Sequence, residues 1–168
     1  MVGADGFEDM LDLLALAVQP LELGRELLPG VRELLEALSG RPEAHVALLT
    51  GNFERGAQIK LEYFDLWRYF SGGAFGDVSH DRNSLLGIAM RRVGELGGPA
   101  VALSDVIIVG DTPLDVAVAI AGGARSLAVA TGSYDVAALH ASGADVVFED
   151  LRDVDAVVAA LGLVTGPG

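Results

Sequence analysis

Apolar and polar segments alternate along most of the chain in the order strand, helix, strand. Short runs rich in valine, isoleucine and leucine end near glycine or threonine, and a segment with helical periodicity follows. This alternation is typical of a parallel β-sheet whose strands are joined by crossover helices. The predicted strands span residues 45–51, 105–110, 126–132 and 145–150, with a short strand or turn at 72–76. We therefore predict an α/β fold with a mostly parallel sheet in a three-layer α/β/α arrangement.

Helical periodicity predicts the segments that join these strands. The predicted helices span residues 31–38, 53–64, 84–96, 113–123, 135–143 and 154–162. The helix that starts at residue 113 has the clearest boundaries, because Pro113 suits a first helical position and paired glycines end the segment. Asn52 is predicted to cap the helix that begins at residue 53.

The N-terminal residues depart from this pattern. Residues 7–28 are predicted to be helical with a break at Pro20, and no strand is predicted before them. The Leu-Pro-Gly sequence at 28–30 then predicts a hinge into the next helix. We therefore divide the chain into a helical segment at 1–28 and an α/β core domain at 29–168.

Composition and charge narrow the classes of protein to which the chain can belong. Its 168 residues suffice for one domain, and 51% of them are apolar. No apolar run approaches the ~18 residues of a membrane helix, and no secretory signal is predicted. The formal net charge of −13 repels nucleic acid and anionic lipid, so neither is expected as a partner. The absence of cysteine excludes disulfides and thiolate metal sites and favours a cytoplasmic location.

Polar or glycine-rich sequences follow four of the predicted strands, where ligands bind in an open parallel sheet. These sequences are Thr50-Gly51-Asn52, Gly76-Asp77, Gly110-Asp111-Thr112 and Thr131-Gly132-Ser133. The third is the most informative, because helix capping by Thr112 and Asp115 accounts for Asp115 but not for Asp111. Carboxylates at a strand tip and in the following helical turn also suit Mg²⁺. Capping and metal binding both stay open for this segment.

Two further segments have a plausible role in anion binding. Thr50-Gly51-Asn52 is either a simple turn or a phosphate site built from a hydroxyl and backbone N–H groups at a helix N-terminus. Arg82 lies at the start of a predicted helix, where its charge opposes the helix dipole unless an anion is near. No P-loop or dinucleotide-binding glycine motif is found.

In this order, LLTGN at 48–52, DRNSLL at 81–86 and VGDTPLDV at 109–116 resemble the haloacid dehalogenase-like (HAD) hydrolase superfamily, most closely its phosphoglycolate-phosphatase-like branch. The resemblance covers residues 25–162 and implies a Rossmann-like sheet. It also implies a Mg²⁺-dependent phosphatase that acts on small phosphate monoesters through an aspartyl-phosphate. A dehalogenase is a further alternative, although that branch does not need the acidic motif present here.

The resemblance assigns roles to individual residues. Thr50 matches the residue that hydrogen-bonds the transferred phosphoryl group, with Gly51 and Asn52 beside it. Arg82 matches the basic residue that balances the charge on nucleophile and phosphate. Asp111 and Asp115 match the acidic motif that holds Mg²⁺. Thr50, Arg82 and Asp111 are thus the predicted catalytic residues.

The family's nucleophile is an aspartate in a first motif, an apolar strand ending in DxDxT or DxDGT, which this sequence lacks. The nearest string, VGADGFEDM around Asp5, has no strand before it and no suitably placed threonine, so Asp5 is not assigned that role. The strand of that motif is the middle one of the family's sheet. We therefore predict a core that lacks its first strand, preceded by the remnant of a helical cap at 1–28.

Three explanations stay open at this point. The chain is expected to be an N-terminally truncated phosphatase with impaired activity. Alternatively it is a non-catalytic binding or scaffold protein, or another copy or chain completes the sheet. The expected ligand is a small phosphorylated molecule, and no particular substrate is predicted because the cap supplies most substrate contacts in this family.

Overall fold

A computed structural model describes residues 12–17, 27–78 and 81–163 of the chain. Its strands form one six-stranded sheet in the order β3-β2-β1-β4-β5-β6, and every pair of neighbours is parallel. The strands are β1 (Asp12–Ala17), β2 (Ala44–Leu49), β3 (Gly73–Ala74), β4 (Val106–Gly110), β5 (Arg125–Val129) and β6 (Val146–Phe148). The predicted α/β fold with a parallel sheet is confirmed.

Helices cover both faces of this sheet. They are α1 (Val31–Ser39), α2 (Glu54–Tyr63), α3 (Arg82–Glu95), α4 (Pro113–Gly122), α5 (Val136–Ala141) and α6 (Val154–Ala160), with 3₁₀ turns at Trp67–Tyr69 and Leu103–Asp105. One apolar core lies between the sheet and α1, α2 and α6, a second lies against α3 and α4, and a smaller one lies between β5, α4 and α5. Val46 and Leu48 of β2 pack in the first core, while Ala47 and Leu49 pack in the second. This alternation is that of a strand buried on both faces, and it gives the predicted three layers.

The structure corrects the prediction for the N-terminal region. Residues 12–17, predicted as part of a helix before a sheet that lacks its first strand, form β1 at the centre of the sheet. This strand pairs with β2 from Asp12↔Ala44 to Ala17↔Leu49, and with β4 from Leu13↔Val106 to Leu16↔Val109. The other residues of the predicted cap remnant lie outside the described parts of the chain, except 27 and 28.

The physical reason for this correction is the cost of an unfilled position between β2 and β4. Each buried N–H or C=O group left without a partner on their facing edges would cost ~1–3 kcal/mol. The leucines and alanines of residues 13–17 favour helix over strand by much less, at most about 1 kcal/mol each. Pairing on both edges therefore outweighs the local helical preference of this segment.

The connections reverse direction between β1 and β4. From β1 the chain continues through α1 to β2 on one side, whereas from β4 it continues through α4 to β5 on the other. The carboxyl ends of two such strands border the crevice in which ligands bind in open α/β sheets. In the part of the chain that the structure describes, no helix combines the length and apolar character needed to cross a membrane.

Candidate functional site at the carboxyl edge of the sheet

The turn from β4 to α4 holds the acidic pair. All five residues of β4 are buried and the strand ends at Gly110. A Cβ atom at this glycine would lie 2.5 Å from the carboxylate of Asp115, so a larger residue would collide with that side chain. Pro113 is the first residue of α4, as predicted. The backbone here is thus closely fitted around the Asp115 carboxylate.

Asp115 and Thr112 form a capping box that closes the N-terminus of α4. The Thr112 hydroxyl oxygen accepts a hydrogen bond from the Asp115 N–H at 3.3 Å. In return, Asp115 Oδ2 accepts from the Thr112 N–H at 3.1 Å and from the Thr112 hydroxyl at 2.8 Å. The Asp115 residue is only 3% exposed. The capping alternative is therefore confirmed for Asp115.

Asp111 occupies a different position at the tip of the strand. The residue is half-buried, and its Oδ1 atom is buried. A Cβ at Gly132, in the loop that follows β5, would lie 2.3 Å from Asp111 Oδ2. The Asp111 carboxylate therefore lies against the backbone of the neighbouring loop. Sequence reasoning noted Gly132 only as part of a polar strand end and missed this contact.

Thr50 begins the loop that follows β2. The residue is 3% exposed, and its N–H donates to the Ala74 carbonyl at 3.0 Å. Its Oγ1 accepts from the Asn52 N–H at 3.1 Å. The Asn52 carbonyl accepts from the Gly76 N–H at 2.9 Å. The turn is therefore held by the loop that follows β3.

This arrangement changes two expectations for Asn52. The residue does not cap α2, because Phe53 is the N-cap and no side chain hydrogen-bonds at that cap. Its N–H, expected to be aimed at an anion, donates within the turn instead. The Thr50 hydroxyl can still donate its own proton while its oxygen accepts this bond. The roles of Thr50, Gly51 and Asn52 in phosphate binding stay predictions.

Arg82 is the first residue of α3, two residues earlier than the predicted start of this helix. The N-cap is Asp81, whose side chain accepts from the Asn83 N–H at 3.1 Å. The Arg82 side chain lies outside the described parts of the structure. Its predicted role at the phosphoryl group therefore stays a prediction.

The fold brings Thr50 and Asp111 to the same edge of the sheet, on either side of β1. Ala17, the last residue of β1, pairs with Leu49, which precedes Thr50. Since neighbouring strands lie ~4.8 Å apart, the ends of β2 and β4 are separated by roughly 10 Å. The sequence that follows β1 is VQPLELG, in which the first acidic residue is Glu22. Asp5 lies outside the described residues.

The described residues fit Mg²⁺ only in part. Asp111 offers a carboxylate at the strand tip, whereas Oδ2 of Asp115 already accepts two hydrogen bonds from Thr112. Within the described ranges, no cluster of three or more His, Cys, Asp or Glu side chains could hold a metal ion. Mg²⁺ commonly takes one or two carboxylates together with substrate phosphate and water. Among the described residues, the donor set therefore fits an ion that would take Asp111 together with a bound phosphate.

The structure also contains a concavity that neither Thr50 nor Asp111 lines. It is a cleft of about 290 Å³ lined by Glu54, Trp67, Gly72, Gly73, Phe75, Arg92, Glu95 and Leu96. None of the site residues predicted from the sequence lines it. This cleft is thus not the site that the polar strand ends indicate.

Comparison with known proteins gives the same fold assignment. Residues 83–154 match a family model described as HAD-hydrolase-like. A solved structure assigned as a beta-phosphoglucomutase from Thermotoga maritima is 25% identical, with a TM-score of 0.65 over 79% of this chain and 59% of that one. A predicted phosphatase from Clostridium acetobutylicum is 22% identical, with a TM-score of 0.68 over 83% of this chain and 61% of that one. No match is found among curated proteins.

A predicted phosphoglycolate phosphatase from Haemophilus somnus is also similar, at 22% identity and a TM-score of 0.66, over 79% of this chain and 57% of that one. The chain thus spans about three fifths of the length of these structures. At 22% identity, the similarity to the two phosphatase structures shows the fold alone. The fold and the match of residues 83–154 confirm the resemblance inferred from the sequence, and this segment is similar to the HAD-hydrolase-like family.

Proposed function

We propose that the carboxyl edge of the sheet binds the phosphoryl group of a small phosphate monoester together with Mg²⁺. The observation that carries this proposal is the placement of Thr50 and Asp111 at the ends of β2 and β4, the two strands that flank β1. A buried hydroxyl and a half-buried carboxylate there provide a hydrogen-bond donor and a hard ligand at the switch point of the sheet. The site is HAD-like in residue types and in order.

Each residue of the chain has a distinct task in this proposal. The Thr50 hydroxyl donates to a phosphoryl oxygen and orients the group, while its own oxygen is fixed by the Asn52 N–H. Arg82 places positive charge beside that group. Asp111 holds Mg²⁺, which when bound offsets negative charge on the phosphoryl oxygens. Asp115 keeps the turn that carries Asp111 in place through its hydrogen bonds to Thr112.

Hydrolysis needs a nucleophile that these residues do not supply. In the aspartyl-phosphate route, a carboxylate oxygen attacks phosphorus, the alcohol leaves, and water then cleaves the acyl phosphate. The sequence directly after β1 has no acidic residue before Glu22. We therefore propose that this chain is a phosphatase impaired in turnover but competent to bind phosphate. The missing carboxylate directly after β1 also favours two alternatives. The chain is then a non-catalytic phosphate-binding protein, or it is one half of an enzyme that another chain completes.

Calorimetric titration of the purified chain with Mg²⁺ in the presence of inorganic phosphate tests the site. We expect the two to bind together, and Asp111→Asn to weaken Mg²⁺ binding at least about tenfold, or ~1.4 kcal/mol. Asp153→Asn is the matched control, because the Asp153 side chain caps α6 by accepting a hydrogen bond from the Ala156 N–H and asparagine caps equally well. Absence of phosphate binding by the folded chain, or equal Mg²⁺ affinity in the two variants, would overturn the proposal.

Turnover separates the enzymatic and the non-enzymatic candidates. Hydrolysis of p-nitrophenyl phosphate is measured with and without Mg²⁺, for the same chain and for Asp111→Asn. We expect turnover to be absent or very slow although phosphate binds. Mg²⁺-dependent turnover that is lost in Asp111→Asn would show that the chain, alone or self-associated, supplies an attacking group.

A further inference from the structure

Four of the nine large apolar side chains that are exposed in the described parts of the chain lie at the edge of the sheet that carries the candidate site. Four of the six strands are followed, after four or five residues, by an exposed large apolar residue. We call this set the apolar rim, and it consists of Phe53 after β2, Val78 after β3, Leu114 after β4 and Tyr134 after β5. Exposed apolar groups that share one edge of a domain indicate a surface that contacts a ligand or partner.

Contacts within the loops place the rim close to Thr50 and Asp111. Leu114 follows Asp111 by three residues in the first turn of α4. Tyr134 follows Gly132 by two residues, and the Gly132 backbone lies against the Asp111 carboxylate. Leu114 and Tyr134, 59% and 42% exposed, therefore lie on the two loops that meet at the predicted metal ligand.

The other half of the rim lies beside Thr50. Phe53 follows Thr50 by three residues and is the N-cap of α2. Val78 follows Gly76 by two residues, and a Cβ at Gly76 would lie 2.0 Å from the Gly51 carbonyl oxygen, so these loops are in contact. Exposed apolar groups thus flank both sides of the proposed phosphoryl site.

The charges at this edge limit what the rim can bind. Four loops follow β2, β3, β4 and β5 at this edge. In their described parts the charged side chains are carboxylates: Asp77, Asp81, Asp111 and Asp135. Arg82, the first residue of α3, is already assigned to the phosphoryl group. Asp77, Asp81 and Asp135 would repel a second anionic group on the ligand, whereas an uncharged apolar group would lose water against the rim.

We propose that the site selects phosphate monoesters whose leaving group is uncharged and apolar, an aryl or alkyl group and not one that bears a carboxylate or second phosphate. Leu114 and Tyr134 are its specificity-determining residues, because they flank Asp111. This substrate class rests on the proposed function, since it needs a phosphoryl group held between Thr50 and Asp111.

The test is a comparison of three ligands by calorimetry on the full chain in Mg²⁺. The probes are inorganic phosphate, phenylphosphonate and phosphonoacetate, of which the last two cannot be hydrolysed as esters and differ in the group beside the phosphonate. We expect phenylphosphonate to bind about tenfold more tightly than inorganic phosphate, the effect of a modest apolar contact. Phosphonoacetate is expected to bind no more tightly than inorganic phosphate.

Variants assign this preference to the rim. The double variant Leu114→Ser/Tyr134→Ser is expected to reduce the ratio of phenylphosphonate to phosphate affinity to about threefold or less. The control is Ile120→Ser/Tyr63→Ser, which removes two side chains that are at least as exposed, at 60% and 72%, from the distal parts of α4 and α2. This control is expected to keep the ratio of the unmodified chain.

The outcomes separate the two proposals. If the folded chain binds none of the three ligands, the proposed function is overturned and the substrate class falls with it. If inorganic phosphate binds but phenylphosphonate has no advantage, or if phosphonoacetate binds more tightly, the phosphate site stands and the substrate class is overturned. Equal ratios in the rim variant and the control variant would also overturn the assignment to Leu114 and Tyr134.

Discussion

Deletion of residues 1–26 removes β1 and tests whether this segment is the central strand of the fold or a helical addition to it. If β1 holds the sheet together, the shortened chain cannot form a stable core. If the segment is an addition, residues 27–168 should fold as before. The matched control is deletion of residues 1–11, which keeps Asp12–Ala17 in the chain.

The register of the sheet gives the size of the expected effect. β1 pairs with β2 at six positions and with β4 at four positions. With roughly one backbone hydrogen bond for each paired position, at about 0.5–1.5 kcal/mol net, the loss is on the order of 5–15 kcal/mol. The entire free energy of unfolding of a domain lies in the same range, about 5–15 kcal/mol. We therefore expect the chain that lacks residues 1–26 to be unfolded or aggregated.

Urea denaturation followed by circular dichroism, with an NMR amide spectrum of each chain, measures the outcome. The chain without residues 1–11 should keep a cooperative transition and dispersed amide signals. The chain without residues 1–26 should show neither. A cooperative transition in the shorter chain, with the midpoint and slope of the control, would refute the assignment of Asp12–Ala17 to the centre of the sheet.

Three smaller changes test the local contacts of the site. Thr112→Ala removes the capping box of α4 and should lower the free energy of unfolding by about 1 kcal/mol in urea titrations. Thr112→Ser should keep most of this capping contribution, and equal losses in the two variants would contradict the capping role of Thr112. Gly132→Ala places a Cβ 2.3 Å from Asp111 Oδ2 and should weaken Mg²⁺ binding in the calorimetric assay, and unchanged affinity would contradict the close contact. Gly87→Ala lies within α3, where the added Cβ meets nothing within 4 Å apart from the adjacent residues and the backbone of its own helix. It should raise the free energy of unfolding by roughly 0.5–1 kcal/mol, and a decrease would contradict the open space at this position.

Local signals predicted the β4–α4 turn well and the N-terminal strand badly. The turn follows from neighbouring residues, because Thr112, Pro113 and Asp115 suffice to cap a helix. The segment 12–17 has the composition of a helix, and only the position left between two distant strands makes it a strand. Asn52 fails as a cap for the same kind of reason, since its carbonyl is held by the Gly76 N–H and the helix starts after Phe53. Contacts between segments far apart in sequence decided each of these errors.

The candidate site shows the same division between local and distant information. Sequence order placed Thr50 and Asp111 after strands, and the sheet brought those strand ends to one edge. The close approach of Gly132 to the Asp111 carboxylate depends on the pairing of β4 with β5, which no local pattern contains. The exposed side chains of Leu114 and Tyr134 became informative only when their loops were found beside that carboxylate.

The lack of an acidic residue directly after β1 leads to a prediction of gained activity. Val18 directly follows the last residue of β1, and Ala17 pairs with the residue that precedes Thr50. If a missing carboxylate is what limits hydrolysis, Val18→Asp should give Mg²⁺-dependent turnover of p-nitrophenyl phosphate above that of the unmodified chain. Val18→Asn, which is nearly isosteric with aspartate and a far poorer nucleophile, is the control.

The comparison of these two variants decides whether binding and chemistry are separable in this chain. Turnover in Val18→Asp alone, abolished by adding Asp111→Asn, would show that the edge is a phosphatase site that lacks only its attacking group. Equal inactivity of both variants, with phosphate binding intact, would contradict that conclusion and favour a binding protein. In that case the hydroxyl of Thr50 and the carboxylate of Asp111 serve recognition, because a site that orients phosphate without a nucleophile stabilises a complex and not a reaction.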